Sequence, residues 1–382
     1  MAKRAKKEED TVQRVNLTDF KAELNKFSFE VMNEDTSEED DIPYYIPFKN
    51  EALQFITGGI CGGKMAEISG DSQVGKSFLA YELISSCQEM GGYALLIDGE
   101  RATTKAILKR NGVKFDNSFA MSTEQDMTTI FGMMLTFIKT IRVREKEAKI
   151  KKITPILIVV DSFPAMQIPL AMEEYEKGKE IKGYAAMQKN AKWSQLIEKF
   201  VADLDDNNAT MVLINQTQKD RTILFGDNTI SKAEDVIKFW ATQRIRGSFV
   251  KKLVKEVDSF ERKTGTKIQV GNKVKWVGVK NRNVAPYQTA YTYTLFDKGM
   301  HKYKGFEENL VTTGRVKMSK TKETKDGEKS RKELDLITVV KTGKAFWSVE
   351  DALEANPDLR IPIKTGESDN SDYSELDDSG DE

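Results

Sequence analysis

The chain has 382 residues, 39% of them hydrophobic and 31% charged, enough apolar mass for a large core under a soluble surface. Its two cysteines, Cys61 and Cys87, and single histidine, His301, exclude a disulfide framework and a Cys/His zinc site. The longest apolar run, residues 156–160, is too short for a bilayer, and the charged start after Ala2-Lys3-Arg4 shows no secretory signal, so the expected location is a reducing cytoplasm.

Residues 1–45 read as a charged N-terminal segment. Phe20, Leu24 and Phe27 share one helical face there, predicting a short helix over 18–27 capped by Thr18 or Asp19. Such a helix docks either on a neighbouring subunit or on its own core. From 46 to 304, short apolar runs alternate with amphipathic stretches. Strands are predicted at 65–69, 93–98, 155–161, 210–215, 273–279 and 290–296. Helices are predicted at 76–89, ended by Gly91 and Gly92, and at 127–141 and 185–204. This alternation predicts an α/β fold, a mainly parallel sheet flanked by helices. Residues 305–365 form a small C-terminal region, with a Lys- and Thr-rich stretch at 315–332 read as an exposed loop and a small module at 333–362. Residues 366–382 read as a disordered acidic tail. Eight Asp or Glu lie between 367 and 382 without a Lys or Arg, so the net charge of −1 becomes +7 without them. A basic body with an acidic tail suggests a polyanion partner for which the tail competes, or a tail that only solubilises.

Gly70-Asp71-Ser72-Gln73-Val74-Gly75-Lys76-Ser77 fits G-x-x-x-x-G-K-[ST], between a predicted strand and a predicted helix that continues with Phe78. The glycines let backbone N–H groups wrap phosphates. Lys76 adds a point charge toward the β- and γ-phosphates, and Ser77 offers its hydroxyl to Mg²⁺. The expected ligands are ATP and Mg²⁺, and the expected chemistry is ATP hydrolysis. Asp161 ends the buried run 156–160, where a carboxylate either completes the Mg²⁺ shell or is merely structural. Glu100 follows the 93–98 strand and is the candidate base for water, the alternative being a solvated loop acid.

Together these residues resemble the RecA family of recombinases, over about residues 52–296. The Walker A loop is followed by Ile97-Asp98-Gly99-Glu100 and Asn111-Gly112-Val113, then by Val160-Asp161-Ser162, Ile214-Asn215-Gln216, Leu224-Phe225-Gly226 and Lys280-Asn281-Arg282 with Ala285-Pro286. The resemblance implies a RecA-type P-loop core and a DNA-dependent ATPase. It implies helical filaments of this chain on single-stranded DNA, pairing with homologous double-stranded DNA and strand exchange. It gives Glu100 the hydrolytic role and lets Gln216 couple the γ-phosphate to a DNA-binding loop. Lys280 and Arg282 would reach the ATP of the adjacent subunit. In that loop Lys219, Arg221 and Lys232 supply phosphate contacts, and Ile223, Leu224 and Phe225 supply apolar surface for bases. Three departures indicate a divergent, bacteriophage-type branch. Ala233-Glu234 stands where the family has paired glycines, the first DNA loop at 173–183 is unusually charged, and Ile107 falls where an aromatic often meets adenine. Two rival readings use the same motifs: a RecA-fold hexameric helicase, and a paralogue that binds ATP without hydrolysing it.

Overall fold

The buried parallel strands explain the architecture. In the computed structural model, which describes residues 42–168, 184–219, 229–259, 262–323 and 329–362, they form the middle of a nine-stranded sheet. Across the sheet the order is Gly299–Met300, Thr289–Leu295, Arg262–Lys280, Gln243–Ser259, Met65–Gly70, Ala209–Ile214, Ile156–Asp161, Tyr93–Asp98, Phe119–Ser122. The last six run parallel, and the first three join antiparallel at one side. All described residues belong to a compact unit spanning Ile42–Glu382. The helix expected at 18–27, the first DNA loop at 173–183 and the acidic tail lie outside the described residues.

Side-chain alternation sends each strand's apolar residues to both faces. Leu157, Val159, Ala66, Ile68, Val212 and Ile214 meet the helix Lys76–Glu89 through Leu79, Leu83 and Ile84. Ile156, Ile158, Val160, Met211 and Leu213 meet the helices Met127–Glu147 and Tyr184–Asp206 on the other face. There Phe131 packs edge-on against Trp193 and Phe200, and Phe163 against Trp193, at centroid separations of 5.0–5.4 Å. This is the expected α/β fold, with helices on both faces of a mostly parallel sheet.

Two segments differ from expectation. The stretch read as a loop at 315–332 contributes to an antiparallel pair, Val316–Glu323 with Lys329–Val339, joined by Ala345–Phe346. Val316, Ile337 and Val339 are buried at one end of this pair, and the lysines and threonines beyond them mask the strand period. Those residues join the main cluster through Phe306 and Leu310, and Phe306 meets Phe55 edge-on at 5.4 Å. The second difference is a ribbon. Gln243–Ser259 and Arg262–Lys280 pair along nearly their whole length, but Gln243–Ser259 pairs with Met65–Gly70 only as far as Gly247. Beyond Leu253, whose partner Gly271 makes the last rung with Leu295, residues 254–259 extend about 20 Å past the sheet at roughly 3.3 Å per residue. The helix expected to stop at 141 continues to Glu147, its added turns carrying the Arg142–Glu145 and Arg144–Glu147 pairs.

Candidate nucleotide and nucleic-acid site

The Met65–Gly70 strand turns into a helix through 71–75, and two glycines make the turn possible. A Cβ on Gly70 would stand 2.3 Å from the Gly247 carbonyl oxygen, and Gly75 has φ 92°. Gly75 caps the helix Lys76–Glu89 without a side-chain acceptor, so its first N–H groups face a ligand site. Asn272 Nδ2 donates to the Gln73 carbonyl at 3.2 Å and props the loop from the ribbon strand.

A cavity of about 480 Å³ opens here, lined among others by Gly75, Lys76, Ser77, Glu100, Asp161 and Gln216. The expected site residues Ser72, Gln73 and Phe78 also line it. Lys76 is buried, and its ammonium donates to the carbonyls of Gly70 (2.9 Å) and Asp71 (2.7 Å). Burial lowers its pKa, and the carboxylates of Asp161, Glu100 and Asp71 oppose that shift. Burial, seconded by Glu100 and Asp98, pushes Asp161 up to about 6, against the Ser77 hydroxyl bonded to it and the nearby Lys76. Ser162 Oγ donates to Glu100 Oε1 at 2.5 Å, so the acid at one strand end is held by the residue after the acid at the next.

Ser77 and Asp161 offer a hydroxyl and a carboxylate on one side of this cavity, a hard-oxygen pair that suits Mg²⁺. Among the described residues no cluster of three or more His, Cys, Asp or Glu could hold a metal alone. A Mg²⁺ here would need phosphate and water oxygens as well.

Residues missed in the sequence also line the cavity, among them Asn272 and Phe296. Phe296 follows the strand Thr289–Leu295, antiparallel to Arg262–Lys280, and so emerges at the edge where the phosphate loop lies. That direction was the available signal. Ile107, at the position expected to meet adenine, does not line the cavity. Lys280 and Arg282 do not line it either; Lys280 Nζ donates to the Lys238 carbonyl at 2.7 Å.

The segment read as the DNA loop springs from a two-stranded hairpin in which Thr217, Gln218 and Lys219 pair with Ser231, Ile230 and Thr229. Lys219 and Lys232 stand at its two ends. Arg221, Ile223, Leu224 and Phe225 lie outside the described residues. A buried network anchors the hairpin. Asn215 Nδ2 donates to Glu67 Oε1 (2.8 Å) and to the Lys232 carbonyl (2.7 Å). Arg244 donates to Glu67 Oε2 (2.7 Å) and to Ser231 Oγ (3.0 Å). A second tie runs from Thr217 Oγ1 to Asp71 Oδ1 in the phosphate loop, at 2.9 Å. Nucleotide cavity and hairpin thus share Gln216, whose N–H bonds Asn215 Oδ1 and whose carbonyl accepts from Lys232.

Residues 47–301 match the model of the RecA N-terminal domain. The chain belongs to the RecA family. It is similar to Protein RecA of Clostridium perfringens, 27% identical over 257 residues that cover 67% of this chain and 64% of that protein. It is 28% identical over 245 residues to Protein RecA of Mesomycoplasma hyopneumoniae, covering 64% of each. With Protein RecA of Streptomyces coelicolor the match is 25% over 321 residues, covering 84% of this chain and 75% of that one. The chain thus spans slightly less than two thirds of the Clostridium and Mesomycoplasma relatives. The match to the RecA N-terminal domain model ends at His301, so the paired strands at 316–339 lie beyond that domain. Among the described residues, no helix of this RecA-family chain is long and apolar enough to cross a membrane.

Proposed function

We propose that the chain is a DNA-dependent ATPase of the recombinase kind, which forms filaments on single-stranded DNA and pairs them with homologous duplex. The observation that carries this reading is Gln216. It lines the phosphate cavity, and its carbonyl accepts from the Lys232 N–H across the root of the hairpin that flanks residues 220–228. A change in its side chain on meeting a γ-phosphate would be felt at that loop.

In this reading the phosphate-loop N–H groups and Lys76 bind the ATP phosphates, and Ser77 and Asp161 hold Mg²⁺, which neutralises phosphate charge when bound. Lys76 must leave the carbonyls of Gly70 and Asp71 to do so, exchanging two neutral acceptors for charged ones. Glu100, with Ser162 fixing one oxygen, orients the attacking water and takes its proton. Lys280 and Arg282 serve the nucleotide of the next subunit, and the cytoplasm is the expected location.

Strand exchange between a circular single strand and linear duplex tests the reading. With ATP, joint molecules and products are expected. With a non-hydrolysable analogue, filaments and pairing persist while turnover stops. ATP-driven unwinding of a forked duplex by closed rings, without pairing, would instead identify a helicase.

A further inference from the structure

A separate cavity, of about 320 Å³, opens where the strands Ile156–Asp161 and Ala209–Ile214 begin, at the sheet edge opposite the nucleotide. The end of the helix Met127–Glu147 and the segment 150–153 after it form one wall, and residues 206–208 form the other. Arg142 is already engaged there. It donates to Glu145 Oε2 (2.5 Å) and to the carbonyls of Thr154 (3.0 Å), Asn207 (2.7 Å) and Asn208 (3.0 Å). Lys146, Lys151 and Lys152 also line the cavity, exposed and without an ion pair among the described residues. Asp206 alone is an exposed carboxylate on this lining. Ile150 and Ile153, 51% and 43% exposed, stand among these lysines. Apolar side chains in water between unpaired ammonium groups suit an acidic segment that carries apolar anchors.

We propose that this groove is the docking site of the acidic segment 367–382 of the same chain. The inference is independent of the nucleic-acid reading above. Charge complementarity and reach single out that occupant. The segment carries eight carboxylates and no Lys or Arg. Its Tyr373 and Leu376 stand three residues apart between Asp372, Glu375 and Asp377, so apolar anchors and acids alternate as the isoleucines and lysines of the groove do. A short series of contacts links the end of the described chain to the groove. Arg360 meets Glu51 at 3.3 Å, Lys49 meets Glu89 at 2.7 Å, and the Tyr93 N–H meets the Pro155 carbonyl at 2.9 Å, beside Thr154. Residues 372–382 lie about 33–66 Å of extended chain beyond Pro362, enough to follow that path. Each exposed ion pair is weak by itself. Several pairs, two apolar contacts and a tether that sets a millimolar effective concentration make a contact that is closed within one chain and sensitive to salt. Docked there, the segment lies at the edge of the sheet away from both the phosphate loop and the hairpin.

The test replaces Tyr373 by the photoreactive p-benzoylphenylalanine in the full chain. Illumination is done below the concentration at which chains associate, and the products are mapped by mass spectrometry. Cross-links within one chain to residues 143–153 or 206–208 are expected. Their yield should fall about 10-fold when Lys146→Gln, Lys151→Gln and Lys152→Gln are combined. It should fall likewise at about 1 M salt. Charge reversal gives the stricter arm. Lys146→Glu, Lys151→Glu and Lys152→Glu together should abolish the cross-link, and adding Asp372→Lys, Glu375→Lys and Asp377→Lys should restore it, which a misfolded variant could not do. A yield indifferent to the lysines overturns the proposal, as do cross-links that join two chains or that map to the hairpin around Lys219 and Lys232. The lysines are also tested in a chain lacking residues 367–382. Oligo-dT affinity unchanged by the triple Gln substitution supports the assignment, whereas weaker binding would make the groove a nucleic-acid surface and overturn it.

Discussion

Glu82 sits inside the helix that starts at Lys76, 8% exposed, with Oε2 buried and without a hydrogen-bond partner. Burial pushes its carboxyl up from the ordinary 4.5 to about 7, and Lys49 offsets only part of that. Below pH 4.5 both folded and unfolded chains hold the proton, so the group contributes nothing to the pH dependence. Between 4.5 and 7 the unfolded chain releases it and the folded chain keeps it, so stability falls as pH rises. Above 7 the loss is complete, roughly 3 kcal/mol. Glu82→Gln should therefore gain about that much more stability at pH 8 than at pH 4.5, read from urea unfolding at the two pH values. Equal effects at both would show that Glu82 ionises freely in the fold. Glu100→Gln tests the opposite kind of acid, one exposed at a cavity. The amide keeps its shape and can still accept from Ser162, so ATP and DNA binding should survive while turnover falls by about 10²-fold or more. Unchanged steady-state phosphate release would remove Glu100 from the chemistry.

At the scale of elements, the parallel strands were legible because burial on both faces makes them continuous apolar runs. The phosphate loop was legible because its glycines have a steric reason. The ribbon was not. Phe249, Val250, Val254 and Ile268 are each 43–54% exposed, so solvent reaches both faces and no two-residue period survives. The anchoring network left a fainter trace. Glu67 is the one acid in an apolar strand, and such a residue must find a partner. It finds Arg244 and Asn215, at positions 177 and 148 residues away, which no local pattern reveals. Arg244→Met strands the buried Glu67 carboxylate and should cost about 3–5 kcal/mol. Adding Glu67→Gln should recover much of it, and denaturant unfolding of the four-member cycle reads the coupling. Additive losses would mean the pair does not act as a unit. Ala233 is another local cost. It begins the helix Glu234–Trp240 at φ 52°, the left-handed region, where the family resemblance places glycine. Ala233→Gly should stabilise by about 1 kcal/mol, after the extra freedom of the unfolded glycine is subtracted. A lower denaturation midpoint would contradict that assignment.

For the whole molecule, one subunit supplies the nucleotide cavity with Lys76 as its lining cation, since Lys280 and Arg282 lie outside it. Charge develops on the γ-phosphate oxygens during hydrolysis, and a second cation that meets only this charge is the usual source of acceleration. If Arg282 fills that role across a filament interface, Arg282→Ala should lower turnover by roughly 10³-fold while leaving ATP bound. Its loss is then repairable by another subunit. Mixing it with Lys76→Ala, itself inactive because its loop lacks the phosphate cation, creates interfaces of two kinds. In one, an intact Lys76 site from the Arg282→Ala chain faces an intact Arg282 from the Lys76→Ala chain. Random co-assembly at equal amounts makes about a quarter of the interfaces of this kind, so turnover should recover toward a quarter of the unaltered rate. An Arg282 acting within its own subunit gives no such recovery, because each chain then carries one broken copy of the same site. Fluorescence energy transfer between differently labelled variants establishes co-assembly. Co-assembled filaments without recovered phosphate release would rule out the role across the interface.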